Sequence, residues 1–170
     1  MADDPETVRA PEPGTHVPGF TLELDDGSSL SDGDLRGTPY VLYFYPRDET
    51  PGCTREAVDF SALAEEFARL GVRVIGVSPD GPESHRRFRA RHELKVELAS
   101  DPEGRVARAF GAFGTRMRFG RPRTGVVRST FLVGPDGQIL ARWRAVKVPG
   151  HAERVLAEAR KRLGGGDAAA

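Results

Sequence analysis

The stretch that decides the fold is Val41-Leu42-Tyr43-Phe44-Tyr45-Pro46-Arg47-Asp48-Glu49-Thr50-Pro51-Gly52-Cys53-Thr54-Arg55-Glu56. Its first half, from Tyr40 to Tyr45, is aromatic and β-branched without polar interruption, the pattern of a strand buried on both faces. Thr50-Pro51-Gly52 breaks the strand and starts a helix, with Pro51 suited to the first helical position and Thr50 to the N-cap. That helix carries Ala57, Phe60, Leu63, Ala64, Phe67 and Leu70 at helical spacing, and Gly71 marks its expected stop. Cys53, the chain's single cysteine, falls in the first turn of this helix, just past the carboxyl end of a buried strand. Helix N-termini present unpaired N–H groups and partial positive charge, so a thiolate there is favoured over the thiol. Thr50 lies three residues ahead of Cys53, within reach of the sulfur's surroundings. Carboxyl ends of strands are where open α/β sheets collect their sites.

Working outward, strand-like and helix-like segments alternate. Phe20 to Leu24 alternates apolar and polar, and Asp25-Asp26-Gly27-Ser28 is turn chemistry, so a small hairpin opens the domain. Val72–Ser78 reads as a second buried strand, 83–91 as a polar helix, 96–99 as a short strand and 104–110 as a further helix. Ser129–Val133 and 138–145 form an antiparallel pair around Gly134-Pro135-Asp136-Gly137, and His151–Leu163 is an amphipathic helix. This order predicts an α/β protein: a thioredoxin-like fold whose mixed central sheet is flanked by helices, with an N-terminal β-hairpin extension. Residues 15–163 form the single expected domain, between flexible tails at 1–14 and 164–170.

Composition narrows the function. In 170 residues, 25 basic side chains offset 25 acidic ones, for a net charge of +0. A dedicated nucleic-acid binder carries a basic excess, so none is expected as a partner. No apolar run approaches a membrane span, and the acidic, Pro-rich start lacks the apolar region of a signal peptide. A single cysteine excludes an internal disulfide and any multi-cysteine metal site, so no metal or other cofactor is expected and the compartment reads as cytoplasmic. Serine-hydrolase, phosphate-loop and dinucleotide motifs are absent. His85 and His92, seven apart on a helix, stand about 10.5 Å apart along its axis, too far to grip one ion, and read as solvated. His16 and His151 sit at element starts and read as capping residues. Arg116, Arg118, Arg121 and Arg123 read as a solvated loop, with steering of an anionic thiol or carboxylate-tailed peroxide as the alternative.

Phe44-Tyr45-Pro46, Asp48, Thr50-Pro51-Gly52-Cys53-Thr54, Glu56-Ala57 and Phe60 together resemble the active-site segment of a peroxiredoxin. They are most similar to the bacterioferritin-comigratory (PrxQ) subfamily. The likeness continues through Gly76-Val77-Ser78, Ser84-His85 with Phe88, Ser100-Asp101, Arg128-Ser129-Thr130-Phe131-Leu132 and Gly150-His151-Ala152, spanning roughly residues 14 to 163. The resemblance implies a thiol peroxidase acting on hydrogen peroxide and alkyl hydroperoxides. Cys53 would be the peroxidatic cysteine, Thr50 would hydrogen-bond the peroxide, and Arg128 would stand beside the sulfur. Pro46 would shield the pocket; Glu56 either orients an arginine or is an ordinary helix-surface partner. Many subfamily members carry a resolving cysteine five residues on, where this chain has Val58. A one-cysteine cycle is therefore implied, with the Cys53 sulfenic acid reduced by an external low-molecular-weight thiol, glutaredoxin or thioredoxin. The resemblance leaves monomer and weak homodimer both open. A stoichiometric redox sensor or redox-dependent holdase is the alternative on the same fold. A thiol transferase lacks its Cys-x-x-Cys pair.

Overall fold

The computed structural model describes residues 9–164. A hairpin of β1 (Thr21–Leu24) and β2 (Ser29–Ser31) precedes the buried strand β3 (Tyr40–Phe44), which leads into α1 (Pro51–Ala62) and α2 (Ala64–Arg69). Then come β4 (Arg73–Ser78), α3 (Pro82–His92), β5 (Glu97–Ser100), a 3-10 turn at Pro102–Gly104 and α4 (Arg105–Ala109). β6 (Phe113–Arg118), β7 (Arg121–Val126), β8 (Ser129–Val133), β9 (Ile139–Arg144) and α5 (His151–Leu163) complete the chain. Seven strands form one mixed sheet in the order β2-β1-β5-β4-β3-β8-β9. β3, β4 and β5 are parallel and the remaining pairings antiparallel.

Side-chain alternation along β3 divides the interior in two. Tyr40, Leu42 and Phe44 point to one face, where Phe20, Ile75, Val77, Phe110 and Phe131 pack. Val41, Tyr43 and, just beyond the strand, Tyr45 point to the other, with Cys53, Phe60, Phe67, Phe88, Leu132 and Val155. Helices α1, α2, α3 and α5 cover that second face; the first is closed by short α4 and the chain's N-terminal segment. Gly76 lies opposite Tyr43 in the sheet, and a Cβ on it would stand 2.6 Å from the tyrosine ring. Only glycine lets that ring lie flat across β4, where it stacks on Phe60 at 4.7 Å.

Three expectations change. The helix expected to run from Pro51 to Leu70 is two helices broken at Leu63, whose φ of −103° and ψ of 10° leave the helical range. The segment 104–110 opens as a 3-10 turn, and Asp101 then accepts the Val106 and Ala107 N–H groups, satisfying the start of α4. The arginine-rich segment expected to be a loop is the β6–β7 hairpin, a separate two-stranded sheet in which Arg116 lies opposite Arg123 and Arg118 opposite Arg121. Of the expected tails, 1–8 and 165–170 lie outside the described residues. Residues 10 to 14 follow β9, with Arg142 donating to the Ala10 and Pro11 carbonyls and the Gly14 N–H to that of Ile139.

Candidate active site

The site is assembled where β3 ends and α1 begins. Thr50 is the N-cap residue in extended conformation (φ −73°, ψ 153°), and the first helical bond runs from the Thr54 N–H to the Thr50 carbonyl. Pro51 has no N–H, so the N–H groups of Gly52 and Cys53 are the ones left open at this helix end. The Thr50 hydroxyl makes no cap; it donates to the Arg47 carbonyl at 3.1 Å, closing the loop on itself. Cys53 is only 1% exposed, packed among Tyr43, Tyr45, Ala57 and Phe60. Pro46 is exposed.

Arg128 reaches the cysteine because of sheet register. β8 runs antiparallel to β3 with Ser129 opposite Phe44, so the residue before Ser129 comes level with the end of β3. From there its Nη2 donates to Cys53 Sγ at 3.2 Å and its Nη1 to Glu56 Oε1 at 2.6 Å. The planar fork thus spans sulfur and carboxylate at once, which a lysine cannot do. Gly52 leaves the space: a Cβ there would stand 3.3 Å from Nη2. Glu56 is 1% exposed, so its orienting contact replaces the alternative of a surface partner. Burial pushes its carboxyl up to about 7 even though Arg128 pulls it down. The guanidinium in turn is held more firmly protonated: burial opposes its charge, but Glu56 and Cys53 outweigh that. The second Glu56 oxygen and the Tyr43 hydroxyl are buried without a partner among the described residues.

The histidines depart most from expectation. His85, expected on the surface, is fully buried, its Nδ1 2.7 Å from Asp48 Oδ2 and its Nε2 3.0 Å from the Ala99 carbonyl. His92 is half-buried against Glu49. His151 does not cap α5, whose N-cap is Gly150; its ring is buried edge-on between Phe60 and Trp143, with Nε2 2.8 Å from Thr130 Oγ1. Burial, helped by Arg154 and Arg128, lowers it to about 4, so it is neutral at pH 7. His16 lies with its Nδ1 2.9 Å from the Val17 carbonyl. The signal that could have found His85 was present: His85 and Phe88 share one helix face at i, i+3.

A thiol held by one arginine at an open helix N-terminus can carry negative charge and receive an oxygen from an electrophile. Among the described residues no cluster of side chains suits a metal ion, and no helix is long and apolar enough to cross a membrane. The family model described as the AhpC/TSA family matches residues 13–142. Peroxiredoxin Bcp of Bacillus subtilis is 42% identical over 145 residues, covering 85% of this chain and 92% of that protein. Peroxiredoxin Bcp of Xanthomonas campestris is 43% identical over 136 residues, covering 80% and 85%. A solved structure of the bacterioferritin comigratory protein from Xanthomonas campestris superposes with a TM-score of 0.80 at 40% identity, covering 85% of this chain and 92% of that one. Two further structures of the Xanthomonas peroxiredoxin Q each replace a different cysteine by serine, whereas this chain has one cysteine to replace. The thioredoxin-like sheet, the register that brings Arg128 onto Cys53 and these likenesses place the chain in the AhpC/TSA family, as a thiol peroxidase of its Bcp/peroxiredoxin Q branch.

Proposed function

We propose that this chain reduces hydrogen peroxide and alkyl hydroperoxides by a one-cysteine cycle centred on Cys53. The Cys53 thiolate attacks the terminal peroxide oxygen; the S–O bond forms as the O–O bond breaks. The leaving oxygen takes a proton and departs as water or alcohol, and Cys53 becomes a sulfenic acid. One external thiol then displaces water to give a mixed disulfide, and a second releases Cys53 as the thiol. The observation that carries this reading is the Arg128 guanidinium, 3.2 Å from Sγ and fixed from behind by Glu56. In that position it stabilises both the thiolate and the charge that develops on the leaving oxygen. The open N–H groups of Gly52 and Cys53 face the same charge. Thr50 stands at the loop edge, where its hydroxyl can turn from Arg47 to a bound peroxide, and Pro46 limits water at the pocket.

A single cysteine supports an external reductant of the kind named above, since no internal disulfide is available. The inclusion of alkyl hydroperoxides is supported by the Xanthomonas relative, whose structure concerns alkyl peroxide reduction activity. The test is the second-order rate of Cys53 oxidation by hydrogen peroxide, read by mass spectrometry after rapid quenching. A folded-state rate of roughly 10⁴–10⁸ M⁻¹s⁻¹, far above a urea-unfolded control, is expected. A rate equal to that control overturns the reading. Repeated turnover with an added thiol separates the enzyme from a sensor, which oxidises once and stops.

A further inference from the structure

Asp48 and the Ser84-His85 pair belong to the sequence likeness, yet neither touches Cys53. The loop at residues 45–50 joins β3 to α1 and passes through Glu49 in the left-handed region (φ 69°), where a non-glycine residue needs outside support. That support converges on Asp48, which is 5% exposed. Its Oδ1 accepts from the Tyr45 hydroxyl at 2.6 Å, and its Oδ2 from the Ser84 hydroxyl at 2.8 Å and faces His85 Nδ1 at 2.7 Å. Its backbone N–H donates to Asp80 Oδ2 at 2.7 Å, an oxygen also held by the Ser78 hydroxyl. At the far end of α3, His92 and Arg91 meet Glu49 at 3.0 and 3.7 Å. Two successive loop carboxylates are therefore held by opposite ends of one helix.

His85 Nε2 faces a backbone carbonyl, which can only accept, so that nitrogen carries a hydrogen. A 2.7 Å contact between Nδ1 and Oδ2 needs a second proton between them. Burial raises the Asp48 carboxyl, but the bonds from His85, Tyr45 and Ser84 more than offset this and hold it below its ordinary value. The Asp48 carboxylate is therefore the acceptor of this buried contact and His85 Nδ1 its donor.

We propose that Asp48 and His85 are the positioning pair of this site: through Asp48, α3 fixes the 45–50 loop and with it the first turn of α1, holding Cys53 against Arg128. The inference rests on the peroxidase reading, because the quantity it controls is the reactivity of Cys53. Its test compares two replacements in the full chain. His85→Asn places its amide nitrogen near the position of Nδ1 and keeps the donor to Asp48. His85→Gln reaches the position of Nε2, keeps the Ala99 carbonyl and abandons Asp48. The rate of Cys53 with hydrogen peroxide is expected to fall on the order of tenfold to a hundredfold in His85→Gln and to stay within about threefold of the parent in His85→Asn. Equal losses in the two, or a parental rate in His85→Gln, overturn the proposal, since a residue that merely fills the core does not distinguish the two nitrogens. If His85→Gln does not fold, Ser84→Ala removes one donor from the same carboxylate at a half-buried helix position. It is expected to slow the same rate severalfold, and a parental rate overturns the proposal. A parent chain no faster than its unfolded control removes the peroxidase reading itself, whereas a fast parent with equal variants removes only the positioning pair.

Discussion

Arg123 and Arg128 lie five residues apart on one run of chain and meet opposite fates. Arg123 is exposed on β7, across from Arg116, in a hairpin whose residues pair with no strand of the main sheet. Arg128, just before β8, is 15% exposed at its side chain and divides its fork between a sulfur and a buried carboxylate. The two side chains are chemically identical, so the difference lies in what their backbone is packed on. β8 is locked in register with β3 and delivers Arg128 to a fixed point, while the hairpin delivers Arg123 to water. Arginine abundance in this chain, 22 of 25 basic residues, therefore says little about chemistry. Position relative to the sheet says a great deal.

The largest expected effect is at Arg128. Replacement by Lys keeps the charge but cannot bridge Sγ and Glu56 Oε1 together. The Cys53 peroxide rate, followed by stopped flow, is expected to fall on the order of 10²–10³-fold, the usual cost of losing a donor aimed at developing charge. A loss below about threefold would mean that charge alone suffices at Arg128, and the contrast with Arg123 would weaken to one of distance.

Next comes pH, where two buried groups of the site oppose each other. Glu56 ordinarily titrates near 4.5 and is raised to about 7, so between those values the folded chain keeps a proton that the unfolded chain has lost. Stability from Glu56 is thus full below pH 4.5 and lost as pH rises toward 7. His151 ordinarily titrates near 6.5 and is lowered to about 4, so there the unfolded chain binds the extra proton. Stability from His151 is present above pH 6.5 and lost as pH falls toward 4. Each swing is on the order of 3 kcal/mol, and the two nearly cancel between pH 4.5 and 6.5. Urea unfolding of the parent at pH 5 and 6.5 is expected to show little change from this pair. Glu56→Gln unmasks His151, and stability rises with pH; His151→Gln unmasks Glu56, and stability falls. Parallel slopes in the two variants would break this account.

How much of this was legible follows from where each signal resides. The β3–α1 segment announced itself because an unbroken apolar strand, a helix-starting Thr-Pro and a lone cysteine are all local. Arg128 was legible only through likeness, since its approach to Cys53 depends on the β3–β8 register across 75 residues. His85 was misjudged because its partner is 37 positions away and a polar residue on a polar helix looks solvated; the i, i+3 pairing with Phe88 was the available hint. The β6–β7 hairpin escaped because its turn is Phe119-Gly120, both at positive φ (53° and 74°). Two-residue hairpins favour such turns, but Asn-Gly or Asp-Gly is the usual sequence sign and phenylalanine is not. Its pattern is also weak, with arginine opposite arginine in two of its six register pairs.

That like-charge ladder yields the smallest expected effect. Arg116 and Arg123 face each other directly, and none of Arg116, Arg121 and Arg123 is held by an acidic side chain among the described residues. Like charges opposite one another across an antiparallel pair are destabilising, and opposite charges contribute roughly 0.2–1 kcal/mol. Arg116→Glu converts repulsion to attraction and is expected to stabilise the chain by about 0.5 kcal/mol at low salt, an advantage that shrinks as salt is added. The same variant is expected to leave the Cys53 rate with uncharged hydrogen peroxide unchanged. Both observations are needed. Stabilisation with an unchanged rate would place the hairpin outside Cys53 activation, whereas a slowed rate would mean that its exposed charge reaches the sulfur and that Arg128 does not act alone.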